Sequence, residues 1–141
     1  MSKAYVSAAL KRLVCDRADF ACEYCLMPEI SVFVPHEIDH IIAEKHGGQT
    51  KENNLALACT ICNKYKGSDL ASIDPMNGEI VRLYHPRRDR WREHFKLEKG
   101  EIIPLTAIAR VTVKLLQINR PERVEERRLL SQANILDIPE F

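Results

Sequence analysis

A chain of 141 residues, 45% hydrophobic and 29% charged, has the balance of one soluble globular domain, which excludes a multidomain assembly, a disordered tail and a low-complexity scaffold. Its 21 basic and 20 acidic residues leave a net charge of +1, so any nucleic acid must be held by a local patch rather than by bulk charge. No apolar run approaches the roughly 20 residues that span a bilayer, and the opening MSKAYVSAALKRLV carries charges where a signal peptide requires its apolar stretch, so a cytoplasmic protein without a membrane partner is expected.

Along the chain, Val6, Leu10, Leu13 and Val14 recur at helical spacing and predict an amphipathic helix from Ala4 to about Phe20. Cys22-Glu23-Tyr24-Cys25 and the turn signal Met27-Pro28 follow, and the Ile-, Val- and Phe-rich stretch Ile30 to Ile42 reads as a strand or hairpin. Gly47-Gly48 and the polar run Gln49 to Asn54 predict a loop, Leu55 to Ala58 a short strand, and Asn63 to Leu70 a short helix. Pro75, Asn77 and Gly78 mark a turn before a strand over Glu79 to Tyr84. Arg87 to Lys96 reads as a short helix or a loop packed by aromatics. A long helix is expected from Thr106, its N-cap, to Asn119, and a charged helix from Glu122 to Ala133.

Five cysteines in a reducing compartment argue against a disulfide framework. Cys22-x-x-Cys25 and Cys59-x-x-Cys62 each place two thiolates close enough to share one ion, and together they complete a tetrahedral structural zinc site with no open position for a reacting water. Cys15 is left over as an unpaired core thiol. The segment 26–58 between the knuckles is longer than the roughly 15 to 20 residues of simple zinc modules, so it encloses something of its own.

What it encloses is His36-Glu37-Ile38-Asp39-His40-Ile41-Ile42, Gly47-Gly48 and Asn54-Leu55, with Asn63-x-x-Lys66-Gly67 following the second knuckle. In this order and spacing the residues resemble the HNH endonuclease family in its zinc-stapled form, over about residues 17–69. The resemblance implies an α+β fold: a small ββα-metal, treble-clef-like core stapled by four cysteines, preceded by a helix and followed by a strand-and-helix extension over about 70–141, all within a single domain 1–141. It implies a metal-dependent endonuclease that hydrolyses DNA phosphodiester bonds. Carried over by position, His40 is the general base, Asp39 and Asn63 ligate one catalytic cation, and Asn54 fastens the loop. The last ligand is His in many members and Asn here. A neutral oxygen donor suits a hard ion, so magnesium or manganese is expected there, distinct from the structural zinc.

The chemistry of the residue types agrees. Phosphodiester hydrolysis needs a deprotonated water and a cation on the phosphate oxygens, and an imidazole can accept the water's proton near neutral pH. Side chains alternate across a strand, so Asp39 and His40 suit different tasks. His36 lies on the nominal face of His40 and is open between a supporting role and a structural one, His46 reads as a loop residue, and Glu37 and Glu44 read as solvated or as orienting neighbours. Lys64, Lys66, Arg87 and Arg88, within a basic stretch that includes Arg82, Arg90, Arg92 and Lys96, are the expected phosphate contacts. Trp91, His94 and Phe95 read as packing. DNA is the expected partner, RNA is not separated from it by sequence, a homodimer is open, and the competing class is a non-catalytic zinc-stapled nucleic-acid-binding module.

Overall fold

The computed structural model of the chain describes residues 5–140. Helix α1 (Ala8–Arg17) begins where the Ser7 hydroxyl accepts the Leu10 N–H, and it ends at Ala18, after which Asp19 and Phe20 both take positive φ. It is shorter than its apolar pattern predicts, and the expected start at Ala4 lies outside the described residues. Val14 on α1 packs with Leu55 and Leu57 in a small cluster joined by Val6, Leu10, Cys15 and Ile38.

Strands β1 (Glu37–His40) and β2 (Leu55–Ala58) pair antiparallel, with Asp39 opposite Ala56 and His40 opposite Leu55. Of the apolar stretch Ile30 to Ile42, only these four β1 residues are strand. Glu29–Ser31 form a 3-10 turn, and Ile30, Phe33 and Val34 face solvent. Pro28 and Pro35 flank that segment and withhold ladder donors, and β2 offers only four partners, so β-rich composition does not become strand there.

Helix α2 (Thr60–Lys66) starts earlier than expected because the Cys59 sulfur caps it, accepting the Cys62 N–H at 3.4 Å. Separated from β2 by Cys59 alone, α2 folds back on the hairpin and completes a ββα unit.

The remaining chain adds a hairpin of β3 (Ala71–Ile73) and β4 (Ile80–Arg82), the short α3 (Trp91–His94), a hairpin of β5 (Phe95–Glu98) and β6 (Glu101–Pro104), then α4 (Ala107–Leu115) and α5 (Pro121–Gln132). The Thr106 hydroxyl accepts the Ala109 N–H as predicted for an N-cap, and Arg110 on α4 grips the buried Asp74 carboxylate through two hydrogen bonds of 3.0 and 2.8 Å. The β5–β6 hairpin is not anticipated by the sequence reading. Its turn places Lys99 and Gly100 at φ 50° and 85°, the primed geometry that suits a two-residue hairpin. Gly100 is required for a second reason: a Cβ there would lie 2.1 Å from the Val124 carbonyl oxygen on α5.

One large core joins these parts. Cys22, Cys25, Cys59 and Cys62 pack in it with Tyr24, Tyr84, Trp91, Phe95, Ile102, Leu116 and Ile118. The fold is thus mixed helix and small antiparallel sheets, and no described helix is long and apolar enough to cross a membrane.

Candidate metal centre and catalytic face

The two knuckles meet at the centre of the core. The four cysteine sulfurs all lie within 4.8 Å of one another, and each residue is buried. Cys25 and Cys59 Sγ are 3.7 Å apart, which matches the edge of a tetrahedron built on zinc–sulfur bonds, about 3.8 Å. Within each knuckle the second cysteine's N–H points at the first one's sulfur at 3.4 Å, placing partial positive charge on the would-be thiolate. Burial pushes the Cys22 thiol well above its ordinary range, and hydrogen bonds among the sulfurs raise Cys62 while they lower Cys59, so the cluster is tightly coupled. The donor set, its spacing and its closure fit a structural zinc ion. Among the described residues this is the one cluster of three or more His, Cys, Asp or Glu groups arranged to hold a metal.

Strand β1 presents two different faces. Glu37 and Asp39 point toward α2, and Ile38 points into the α1 cluster. Asp39 is 4% exposed, and its carboxylate accepts the Tyr24 hydroxyl at 2.7 Å and the Lys66 ammonium at 3.3 Å. Burial raises the Asp39 pKa while Lys66 and Tyr24 oppose the rise. One turn earlier on α2, Asn63 donates its amide N–H to Glu37 at 2.8 Å. That bond directs the Asn63 carbonyl oxygen away from Glu37. Asp39, Glu37 and Asn63 thus carry their side chains on the side of β1 that faces α2, where the Asp39 carboxylate is engaged by Tyr24 and Lys66.

His40 lies on the other side of the strand, half-buried, with Nε2 2.9 Å from the Thr50 hydroxyl. The loop that brings Thr50 there is tied by Asn54. Its side-chain oxygen accepts the Ile42 N–H at 2.9 Å, and its amide donates to the Ile42 and Gln49 carbonyls at 3.0 and 2.9 Å. Gly48 makes this closure possible, since a Cβ would fall 1.6 Å from the Ile42 carbonyl oxygen.

Other sequence-selected residues are placed differently from their expectations. Lys66 is 2% exposed and spends its ammonium protons on Asp39 and on the His40 and Ile41 carbonyls at 3.2 and 2.9 Å, so it is not a surface phosphate contact. Arg87 is likewise turned inward onto Glu23, and burial pulls its guanidinium down to about 10. Glu23 also accepts the Leu57 N–H at 2.8 Å, so this pair bolts the extension to the first knuckle and to β2. Lys64 and Arg88 are exposed. Lys64 lies 5.6 Å from the Tyr65 ring centroid and Arg120 lies 5.7 Å from the same ring. His36 is buried with Nε2 2.8 Å from the Met27 carbonyl, and His46 reaches the Ser68 carbonyl at 3.1 Å. Trp91 and Phe95 are buried in the core.

Sequence reasoning passed over Tyr24, for which no signal exists beyond its place inside a knuckle, and left Glu37 open between a solvated residue and one that orients a neighbour, which its bond to Asn63 makes it. The latter had a signal: it stands two positions before Asp39, hence on the same strand face.

Residues 22–69 match the family model described as HNH endonuclease. Neither the curated proteins nor the solved structures gave a match. The matched stretch begins at the first zinc-knuckle cysteine and ends three residues after α2, so it contains both knuckles, the β1–β2 hairpin and the helix. Over residues 22–69 the chain is thus similar to HNH endonucleases, and the four-cysteine cluster within that stretch is consistent with their zinc-stapled form.

Proposed function

We propose that this chain is a metal-dependent endonuclease that hydrolyses DNA phosphodiester bonds, with His40 as the general base and Asp39 and Asn63 as the protein ligands of one divalent cation. The observation that carries this reading is the division of labour on β1: adjacent residues put an oxygen donor toward α2 and an imidazole on the opposite face, within one HNH domain. The cation, magnesium or manganese, supplies charge neutralisation at the phosphate and at the departing oxygen. Nε2 of His40 lies 2.9 Å from the Thr50 hydroxyl, and in the tautomer that donates Nε2–H to that hydroxyl Nδ1 is left to take a proton from water. Asn54 holds the loop that carries Thr50, so it positions the base without touching substrate. Glu37, by binding the Asn63 amide N–H, keeps the amide oxygen turned toward the cation. Lys64 and Arg88, exposed beside and beyond α2, contact phosphates on either side of the scissile bond.

Digestion of supercoiled plasmid in magnesium and in manganese tests this, with RNA digested in parallel. Nicked or linear product is expected from the unaltered chain, and His40→Ala lowers the rate about 100- to 10,000-fold, the range of a general base. Equal cleavage by His40→Ala overturns the base assignment, and RNA cleavage without DNA cleavage overturns the substrate. A second reading, a non-catalytic nucleic-acid-binding module, draws on the fact that the Asp39 carboxylate is already held by Tyr24 and Lys66. DNA retardation on a gel without nicking in any divalent ion favours that reading.

A further inference from the structure

Tyr24 stands between the two cysteines of the first knuckle and is 1% exposed, and its hydroxyl is spent outside the cysteine cluster. It donates to Asp39 Oδ2 at 2.7 Å. A phenol buried without a partner is costly, and an ionised carboxylate can only accept, so the direction of this bond is fixed. The hydroxyl is also aimed from behind. The Tyr24 backbone is enclosed in the knuckle by the bonds from Leu26 N–H to the Cys22 carbonyl and from Cys22 N–H to the Met27 carbonyl, both 2.9 Å. Its carbonyl accepts the Trp91 indole N–H at 3.3 Å, and its ring meets that of Tyr84 edge-on, with centroids 6.4 Å apart. Trp91 and Tyr84 lie outside residues 22–69, so the extension helps to place a hydroxyl on the catalytic face.

The two oxygens of Asp39 are therefore unequal. Oδ2 takes the Tyr24 bond and stands 3.2 Å from the Lys66 ammonium. Oδ1 takes the 3.3 Å bond from Lys66 and, among the described residues, no other. Lys66 is anchored in turn by the His40 and Ile41 carbonyls at 3.2 and 2.9 Å. A carboxylate offers about four acceptor positions, and the less committed ones here are on Oδ1.

We propose that Tyr24 sets the cation preference of this face: by engaging Oδ2 it leaves Asp39 a single oxygen, Oδ1, to offer a metal. Calcium accepts both oxygens of one carboxylate in a loose, adaptable shell, while magnesium demands a near-ideal octahedron, so a carboxylate restricted to one oxygen favours the smaller ion. Tyr24 is a positioning residue that acts through Asp39. The inference rests on the reading that Asp39 ligates the cation.

The test uses the zinc-loaded full chain with uncleavable duplex, and calorimetry reads magnesium and calcium affinity for the unaltered chain, Tyr24→Phe and Tyr84→Phe. Tyr24→Phe keeps the ring and removes only the hydroxyl. It is expected to shift the ratio of calcium to magnesium affinity about 10-fold toward calcium. Tyr84→Phe, which removes a neighbouring hydroxyl that does not reach Asp39, leaves the ratio unchanged. A folded Tyr24→Phe with the ratio of the unaltered chain, or an equal shift in Tyr84→Phe, overturns the inference and leaves the ligation by Asp39 standing. An unaltered chain that takes up neither ion overturns both. Should Tyr24→Phe not fold, infrared difference spectra of the unaltered chain with isotope-labelled aspartate decide, the Asp39 signal being the one absent from Asp39→Asn. Magnesium is expected to widen the separation between the antisymmetric and symmetric carboxylate stretches, the mark of one ligating oxygen, and a narrowed or unchanged separation overturns the inference.

Discussion

The sulfur centre and the oxygen face lie on the same ββα unit and are built on opposite terms. The four cysteines are buried, already within tetrahedral spacing, and offer no open coordination position. The oxygen face has one buried carboxylate, held by Tyr24 and Lys66, and one amide on a helix tied to the exposed Glu37. A centre that must only hold the chain together can be closed, and its binding energy becomes folding energy. A centre that must admit a phosphate cannot be closed, so its protein donors are few and are kept in place by other side chains. In the proposed site that work falls to Lys66, whose ammonium lies beside Asp39, and to Glu37, which accepts the Asn63 amide N–H.

The contrast can be broken most severely by removing the structural metal. Stripping zinc with a strong chelator is expected to abolish the cooperative thermal transition followed by circular dichroism, whereas withholding magnesium should leave the melting temperature unchanged. Equal melting with and without zinc would end the distinction. Next in size is Lys66→Met. It leaves the Asp39 carboxylate buried without its cation, and urea unfolding should show a loss of about 3–5 kcal/mol. Adding Asp39→Asn to that background should recover part of the loss while leaving plasmid cleavage abolished, which separates stability from chemistry. Glu37→Gln is smaller. The neutral amide holds Asn63 less firmly, and magnesium affinity measured calorimetrically with uncleavable duplex should fall about 10-fold without a change in melting. Smallest is Lys64→Ala, which should weaken DNA binding uniformly across sequences and reduce the slope of log affinity against log salt by about 1.

Much of the sulfur centre was legible because its ligands come as local pairs, and spacing within a knuckle survives any arrangement of the rest. That Asp39 and His40 point to different sides was legible because neighbours on a strand must face opposite ways. The misreadings share another cause: they concern residues whose partners are distant in sequence. Lys66 stands in the polar run Asn63 to Gly67 and reads as surface, yet α2 folds back over β1 and carries it beneath the His40 and Ile41 carbonyls. Arg87 belongs to an Arg-rich stretch and is drawn inward by Glu23, 64 positions earlier. Ile30, Phe33 and Val34 have strand-forming side chains and no strand to pair with. The β5–β6 hairpin did leave a signal, the Lys99-Gly100 turn between two four-residue runs, which was masked by the charges on both sides.

Every residue of β2 is buried, but its two faces are unlike: Leu55 and Leu57 fill the α1 side, and Ala56 and Ala58 leave room on the side of the cysteines. Sliding this strand by one residue against β1 would drive leucines into the space cut for alanines and withdraw them from Val14. The alternation of large and small side chains therefore acts as a ratchet tooth for the hairpin. Because that tooth also fixes which β1 residue looks toward the helix, the apolar contacts of α1, remote from any phosphate, decide that the carboxylate and the imidazole are not exchanged.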